Sequence, residues 1–127
     1  MRIRQGVAED RRVSIEDAEM RHGRKSKSKR FSGYKQHLST HLDTELVLAC
    51  AVTPANRPEE EAAPQLQKDM ARLGVEPDVL QIDRAYLHSS LVEQVVESGG
   101  EVVCKPWKGN NAKPGFFGKK DFDINIR

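Results

Sequence analysis

The sequence predicts a mixed α/β domain, with antiparallel hairpin strands first and parallel strands joined by helical crossovers after them. Three observations carry this. Two strand-like runs, 33–41 and 46–53, are separated only by Leu42-Asp43-Thr44-Glu45, which reads as a hairpin with its turn at the aspartate. A helix-like stretch from Glu59 to Leu73 follows a proline-rich break and precedes the apolar run Val79-Leu80-Gln81-Ile82. A second helix-like stretch, Ser89 to Glu97, then separates that run from Glu101-Val102-Val103-Cys104, the alternation that builds parallel strand pairs.

Taken in order, residues 1–11 show no periodicity and read as a disordered N-terminal segment, which leaves 12–127 as the folded part. Arg12-Val13-Ser14-Ile15-Glu16 alternates polar and apolar residues, the signal of a short strand. From Arg21 to Arg30 there is no apolar side chain; such a run cannot bury itself and is expected to be a mobile loop or arm. The hairpin strands follow, and the second, apolar from Leu46 to Val52, is expected to be buried. Pro54 and Pro58 break it. In the helix after them, Glu59, Glu60 and Glu61 occupy the first turn, where they complement the helix dipole, and Lys68 and Arg72 lie toward the end. Ala62, Leu66, Met70 and Leu73 form its apolar stripe and Gly74 stops it; Pro64 is tolerable because it falls near the helix start. The resulting order of strand, strand, strand, helix, strand, helix, strand is that of a ribonuclease-H-like mixed sheet. Fold alone does not settle function.

Composition narrows the class. A chain of 127 residues, 37% apolar and 31% charged, suits one small soluble domain. No apolar run approaches the roughly 20 residues of a membrane span, and Met1-Arg2-Ile3-Arg4-Gln5 lacks the apolar stretch of a secretory signal; the expected address is cytoplasmic. Cys50 and Cys104 sit in apolar runs and are expected to be buried free thiols.

The net charge of +2 conceals an asymmetry. Residues 1–37 hold 11 Lys/Arg against 5 Asp/Glu, residues 38–104 hold 4 against 12, and residues 105–127 hold 6 against 2, giving +6, −8 and +4. Basic flanks around an acidic middle point to a polyanion held at the flanks and a carboxylate-bearing body between them. For the densest run, Arg21-His22-Gly23-Arg24-Lys25-Ser26-Lys27-Ser28-Lys29-Arg30, two readings stand: phosphate contact or a solubilising loop.

The acidic feature of most interest is Asp83, which ends the Val79–Ile82 run. Open α/β sheets put their chemistry at the C-terminal ends of buried strands, where a carboxylate meets a metal or a substrate. The other reading is that Asp83 caps the next helix.

Four phrases carry a family resemblance: Met20 to Lys35 (MRHGRKSKSKRFSGYK), Ala51 to Glu59 (AVTPANRPE), Ile82 to Leu87 (IDRAYL) and Val102 to Trp107 (VVCKPW). In this order they resemble the catalytic core of bacterial insertion-sequence DDE transposases, over about residues 12 to 126. The resemblance implies a ribonuclease-H-like fold, two Mg²⁺ ions held by three acidic residues, DNA strand cleavage and strand transfer at transposon ends, and a homodimer within a transposition complex. Asp83 falls on the second aspartate of the triad, a metal ligand. Two-metal phosphodiester cleavage needs carboxylates that gather cations about 3.5–4 Å apart, and a lone aspartate cannot do that. The first aspartate lies upstream in many members, on a strand this chain would not contain. Asp17 is the local candidate, or else it matches a family aspartate that binds no metal. The third acid, a glutamate on a helix, would follow residue 127; Asp121 and Asp123 read as loop acids. The chain is therefore expected to be a partial core, 12–127, inactive alone. Glu45 stands where the resemblance leads to glycine.

For DNA contact the candidates are Arg24, Lys25, Lys27, Lys29, Arg30, Lys35, Arg84, Lys105 and Lys108. Tyr86 either touches DNA or packs beneath the following helix, and Trp107 either stacks on a base or anchors its loop. His22, His37, His41 and His88 have no metal-ligand spacing. The competing class is a non-catalytic basic DNA-binding domain that keeps the fold for shape and charge; a weaker third is an unrelated nuclease of the same fold. Mg²⁺-dependent nicking abolished by Asp83→Ala separates the first from the second.

Overall fold

The computed structural model describes residues 8 and 10–105. The candidate residues Lys108, Asp121 and Asp123, with Trp107 and most of the segment 1–11, lie outside the described residues.

Three antiparallel strands form the first layer. β1 (Arg21–Arg24) pairs with the start of β2 (Arg30–Thr40), whose remainder pairs with β3 (Val47–Pro54). The β2–β3 turn is closed by backbone bonds from Glu45 to His41 (2.8 Å) and from His41 to Leu46 (2.9 Å). Glu45 sits there at φ 57°, in the left-handed region that penalises a side chain. Next to the turn Leu48 has no opposite residue, because Ser39 faces Ala49 and Thr40 faces Val47.

A 3-10 turn (Glu59–Ala62) leads into α1 (Ala63–Arg72), with Pro64 in its first turn. Gly74, at φ 68°, ends the helix: its amide bonds the Ala71 carbonyl and that of Val75 bonds Met70, both at 3.0 Å, a Schellman motif. β4 (Val79–Ile82), α2 (Ser90–Glu97) and β5 (Glu101–Cys104) complete the described chain, and β4 pairs in parallel with β5, Leu80 opposite Val102.

The core lies between these layers. Ala49 and Ala51 of β3 face Leu66 and Met70 of α1, and Leu80, Leu91 and Val95 close it from the other side. Alanines on the strand let the helix approach closely, while Leu66 and Met70 supply most of the apolar area on that contact.

The chain is thus mixed α/β, antiparallel first and parallel after, as the sequence predicts, with four differences. Residues 12–16 are not a strand; they form bends held by Arg12, whose guanidinium bonds the carbonyls of Ser14 and Ile15. The basic run is no mobile arm: its ends are strands, joined by a turn in which the Lys25 amide bonds the Lys29 carbonyl at 2.8 Å. β3 is buried on one face only, because α1 covers that face alone; Val52 stays 62% exposed and Cys50 is exposed as well, contrary to the burial expected of its thiol. Finally, among the described residues the strands form two sheets, β1-β2-β3 and β4-β5, with no ladder between them.

Candidate nucleic-acid interface and acidic site

The basic interface is built on the β1–β2 ribbon. Strand alternation puts Gly23 and Phe31 on the inner side and Arg24, opposite Arg30, on the outer. Gly23 lies so close to the body that a Cβ there would stand 2.6 Å from the Ala55 carbonyl oxygen, so the ribbon's base is fixed. Beyond it, Arg24 to Arg30 are all exposed. Like charges directly opposite on neighbouring strands are unfavourable, yet Arg24 and Arg30 face each other, and no acidic residue occurs from Met20 to Thr40. Among the described residues none of Arg24, Lys25, Lys27, Lys29 and Arg30 has a carboxylate partner; the ion pairs of this region belong to Arg21 with Asp10 (2.8 Å) and Lys35 with Glu59 (3.0 Å).

Lys35 is accordingly occupied inside the molecule, and its ammonium also donates to the Arg57 carbonyl at 2.7 Å. Arg84 is half-buried beside Asp83, and Lys105 is exposed just after β5.

Asp83 leaves the C-terminal end of β4 with its carboxylate exposed. One oxygen accepts from the Ala85 amide at 3.2 Å, capping the 3-10 turn Arg84–Tyr86. The capping alternative therefore holds for this short turn; α2 begins later, at Ser90. Capping uses one oxygen of the carboxylate.

Asp17 has a different environment. Both its oxygens accept from the Tyr34 hydroxyl (2.7 and 2.6 Å), and one also accepts from the amides of Glu19 and Met20. The Tyr34 hydrogen bond, then the backbone bond from Glu19, hold the Asp17 carboxyl below its usual range, and the same bond pushes the Tyr34 phenol up to about 12. Among the described residues no three His, Cys, Asp or Glu side chains gather in a way that could hold a metal ion. The donor set for two Mg²⁺ ions is not met by these residues, which offer Asp83 as a single strand-end carboxylate.

The sequence reading missed the group beside Asp83. His37 of β2 is only 3% exposed. Its Nε2 meets the Thr53 hydroxyl at 2.9 Å and its Nδ1 meets the Tyr86 hydroxyl. The two rings stand edge to face, 5.9 Å apart at 88°. Burial pushes the imidazole pKa down, only partly opposed by Glu59, and Lys35 adds to the lowering; burial pushes the Tyr86 phenol up, with Glu59 and Asp83 adding to it. Glu59 itself stays below its usual range because its bond to Lys35, with further help from its own backbone and nearby charge, outweighs its burial. A signal existed in the sequence: in β2 His37 alternates with Lys35 and Ser39 on one face, the face that α1 covers.

No described helix is long and apolar enough to cross a membrane. No curated protein and no solved structure matches the chain. A family model described as Transposase DDE domain does match, over residues 7–121. That span includes the basic ribbon, both sheets and Asp83, and supports a transposase-related function. The chain belongs to the transposase DDE domain family.

Proposed function

We propose that this chain is a DNA-binding part of a transposase catalytic core with a ribonuclease-H-like arrangement. Its basic ribbon grips the phosphate backbone near transposon ends, and Asp83 is one of three carboxylates for two Mg²⁺ ions. The observation that carries the reading is the ribbon of five cations without carboxylate partners among the described residues, in a chain matched to the family over residues 7–121. A two-stranded ribbon fits the major groove of a duplex, and an uncompensated Arg24–Arg30 pair is relieved by phosphate.

Strand cleavage by two cations needs more than one carboxylate. The described residues gather no such set, so in this reading Asp83 acts with carboxylates from outside residues 8 and 10–105, and the isolated chain binds DNA without cutting it. Action in the cytoplasm, and as a homodimer in a transposition complex, belong to the same reading. The lack of a three-acid cluster among the described residues also fits a second reading, a basic DNA-binding domain that performs no cleavage in any context.

The test is duplex binding over a range of salt concentrations. Replacing Lys25, Lys27 and Lys29 together by Gln is expected to lower the slope of log affinity against log salt by about 2.7, at about 0.9 per phosphate contact. An unchanged slope moves the contact off the ribbon. Mg²⁺-dependent nicking by the isolated chain, abolished in Asp83→Ala, would overturn the claim that it cannot cut alone. For the second reading, the deciding experiment is the same substitution in an active full-length transposase containing this segment: retained cleavage favours the non-catalytic domain.

A further inference from the structure

We propose that His37 and Tyr86 are positioning residues for Asp83: their side chains clasp the turn that carries this carboxylate onto the antiparallel sheet. The inference rests on the proposed role of Asp83, but its geometry stands apart from that role.

The clasp is a continuous line of bonds. Thr53 on β3 meets His37 Nε2 at 2.9 Å, and His37 Nδ1 meets the Tyr86 hydroxyl across 49 positions of sequence. Tyr86 is the last residue of the 3-10 turn that Asp83 caps. Its own amide bonds the Asp83 carbonyl at 3.0 Å, while the Ala85 amide bonds the Asp83 carboxylate at 3.2 Å. Thus a shift of the Tyr86 ring turns the peptide planes on which the carboxylate rests.

Three features set this group apart from ordinary packing. First, the described strands form no ladder between the two sheets, so a side-chain bond carries a link that backbone bonds carry elsewhere. Second, His37 is 3% exposed, so water cannot easily replace a lost hydroxyl. Third, a neutral imidazole offers one donor and one acceptor, and two hydroxyls, each able to give or take a hydrogen, satisfy both nitrogens in either tautomer. A phenylalanine at 86 would fill the same volume and leave one nitrogen without a partner.

The test is site-resolved amide exchange on the whole chain. In Tyr86→Phe the amides of Ala85 and residue 86 are expected to exchange about ten-fold faster, with Met70 in α1 and Val103 in β5 unchanged. Thr53→Val, which breaks the other end of the line, is expected to act at the same two amides, and Thr53→Ser to restore wild-type exchange. Equal acceleration at all sites, or none at Ala85 and residue 86, overturns the proposal, because a general loss of stability does not select one turn. Addition of Mn²⁺ separates the two assignments. Broadening of the Ala85 signal that disappears in Asp83→Asn supports the cation role of Asp83. Faster exchange without such broadening leaves the clasp standing and shows that Asp83 holds no Mn²⁺ in this chain alone.

Discussion

The β1–β2 ribbon and the β4–α2–β5 unit are built in opposite ways. The ribbon contains no acid from Met20 to Thr40 and projects its cations outward, so it is held by one close backbone contact at Gly23 and by hydrogen bonds such as that between His22 and Ser32 at 2.9 Å. The parallel unit has an apolar helix face, Leu91 and Val95, sealed against Leu80 and α1. The first is a charged surface shaped by backbone geometry; the second is a small core with its acid at one rim. A DNA-handling protein needs both, since a cation cluster cannot bury itself and a carboxylate site requires a stable floor.

The comparison can be broken at what both regions share. Leu66 of α1 is buried in the core between β3, which carries the ribbon's sheet, and the parallel unit, so Leu66→Ala is expected to destabilise the protein by about 2–5 kcal/mol, with β3 and α2 losing structure together in a urea titration followed by circular dichroism. Separate transitions would mean that the two halves fold independently. The next effect has the opposite sign. Glu45→Gly removes a side chain from φ 57° and is expected to stabilise the β2–β3 turn by about 1 kcal/mol, read as a raised urea midpoint with an unchanged slope.

A third effect depends on pH and sharpens the contrast at the seam. Burial lowers the His37 pKa below 6.5, against Glu59 and with Lys35. The unfolded chain therefore takes up the proton first as pH falls. His37 contributes full stability above about pH 6.5 and loses it progressively below, as the folded pKa is passed. The wild type is expected to weaken between pH 7 and pH 5 more than His37→Asn does, in paired urea titrations. The facing groups Lys35, Glu59, Thr53 and Tyr86 are the same in both. Smallest in reach is Asp17→Asn, expected to bring the Tyr34 phenol from about 12 back toward 10 while leaving Tyr86 where it is, seen as the order in which two phenolate absorbance steps appear. If Tyr34 does not move, the Asp17–Tyr34 bond is absent in solution.

Much of the parallel unit was legible in the sequence, because its signals are local. Val79–Ile82 and Glu101–Cys104 match their predicted ranges, and Gly74 stops the preceding helix where it should. The family resemblance also pointed to glycine at position 45, the site of the positive φ. The ribbon was less legible. Reading burial from apolar side chains gives nothing for RHGR, where the inner residue is a glycine and the contact is made by backbone. β3 misled for the converse reason: Leu46 to Val52 is apolar on both faces, but α1 covers only one. The group beside Asp83 was hidden because its members are 49 positions apart and no local spacing joins His37 to Tyr86. Asp83 itself stood out as a strand-end acid, but the absence of companions among the described residues is a property of three-dimensional placement.

Gly23 has one more consequence. The nearest atoms to a Cβ at this position belong to Ala55 and Phe31, at 2.6 to 2.8 Å, so even the smallest side chain must pry the ribbon away from the body. The glycine is a fulcrum: it sets the angle at which the lever of Lys25 to Lys29 stands out, while in the proposed DNA-binding role the lysines set how hard the lever pulls on a polyanion. Aim and strength are encoded at different positions, and each can be tuned without touching the other.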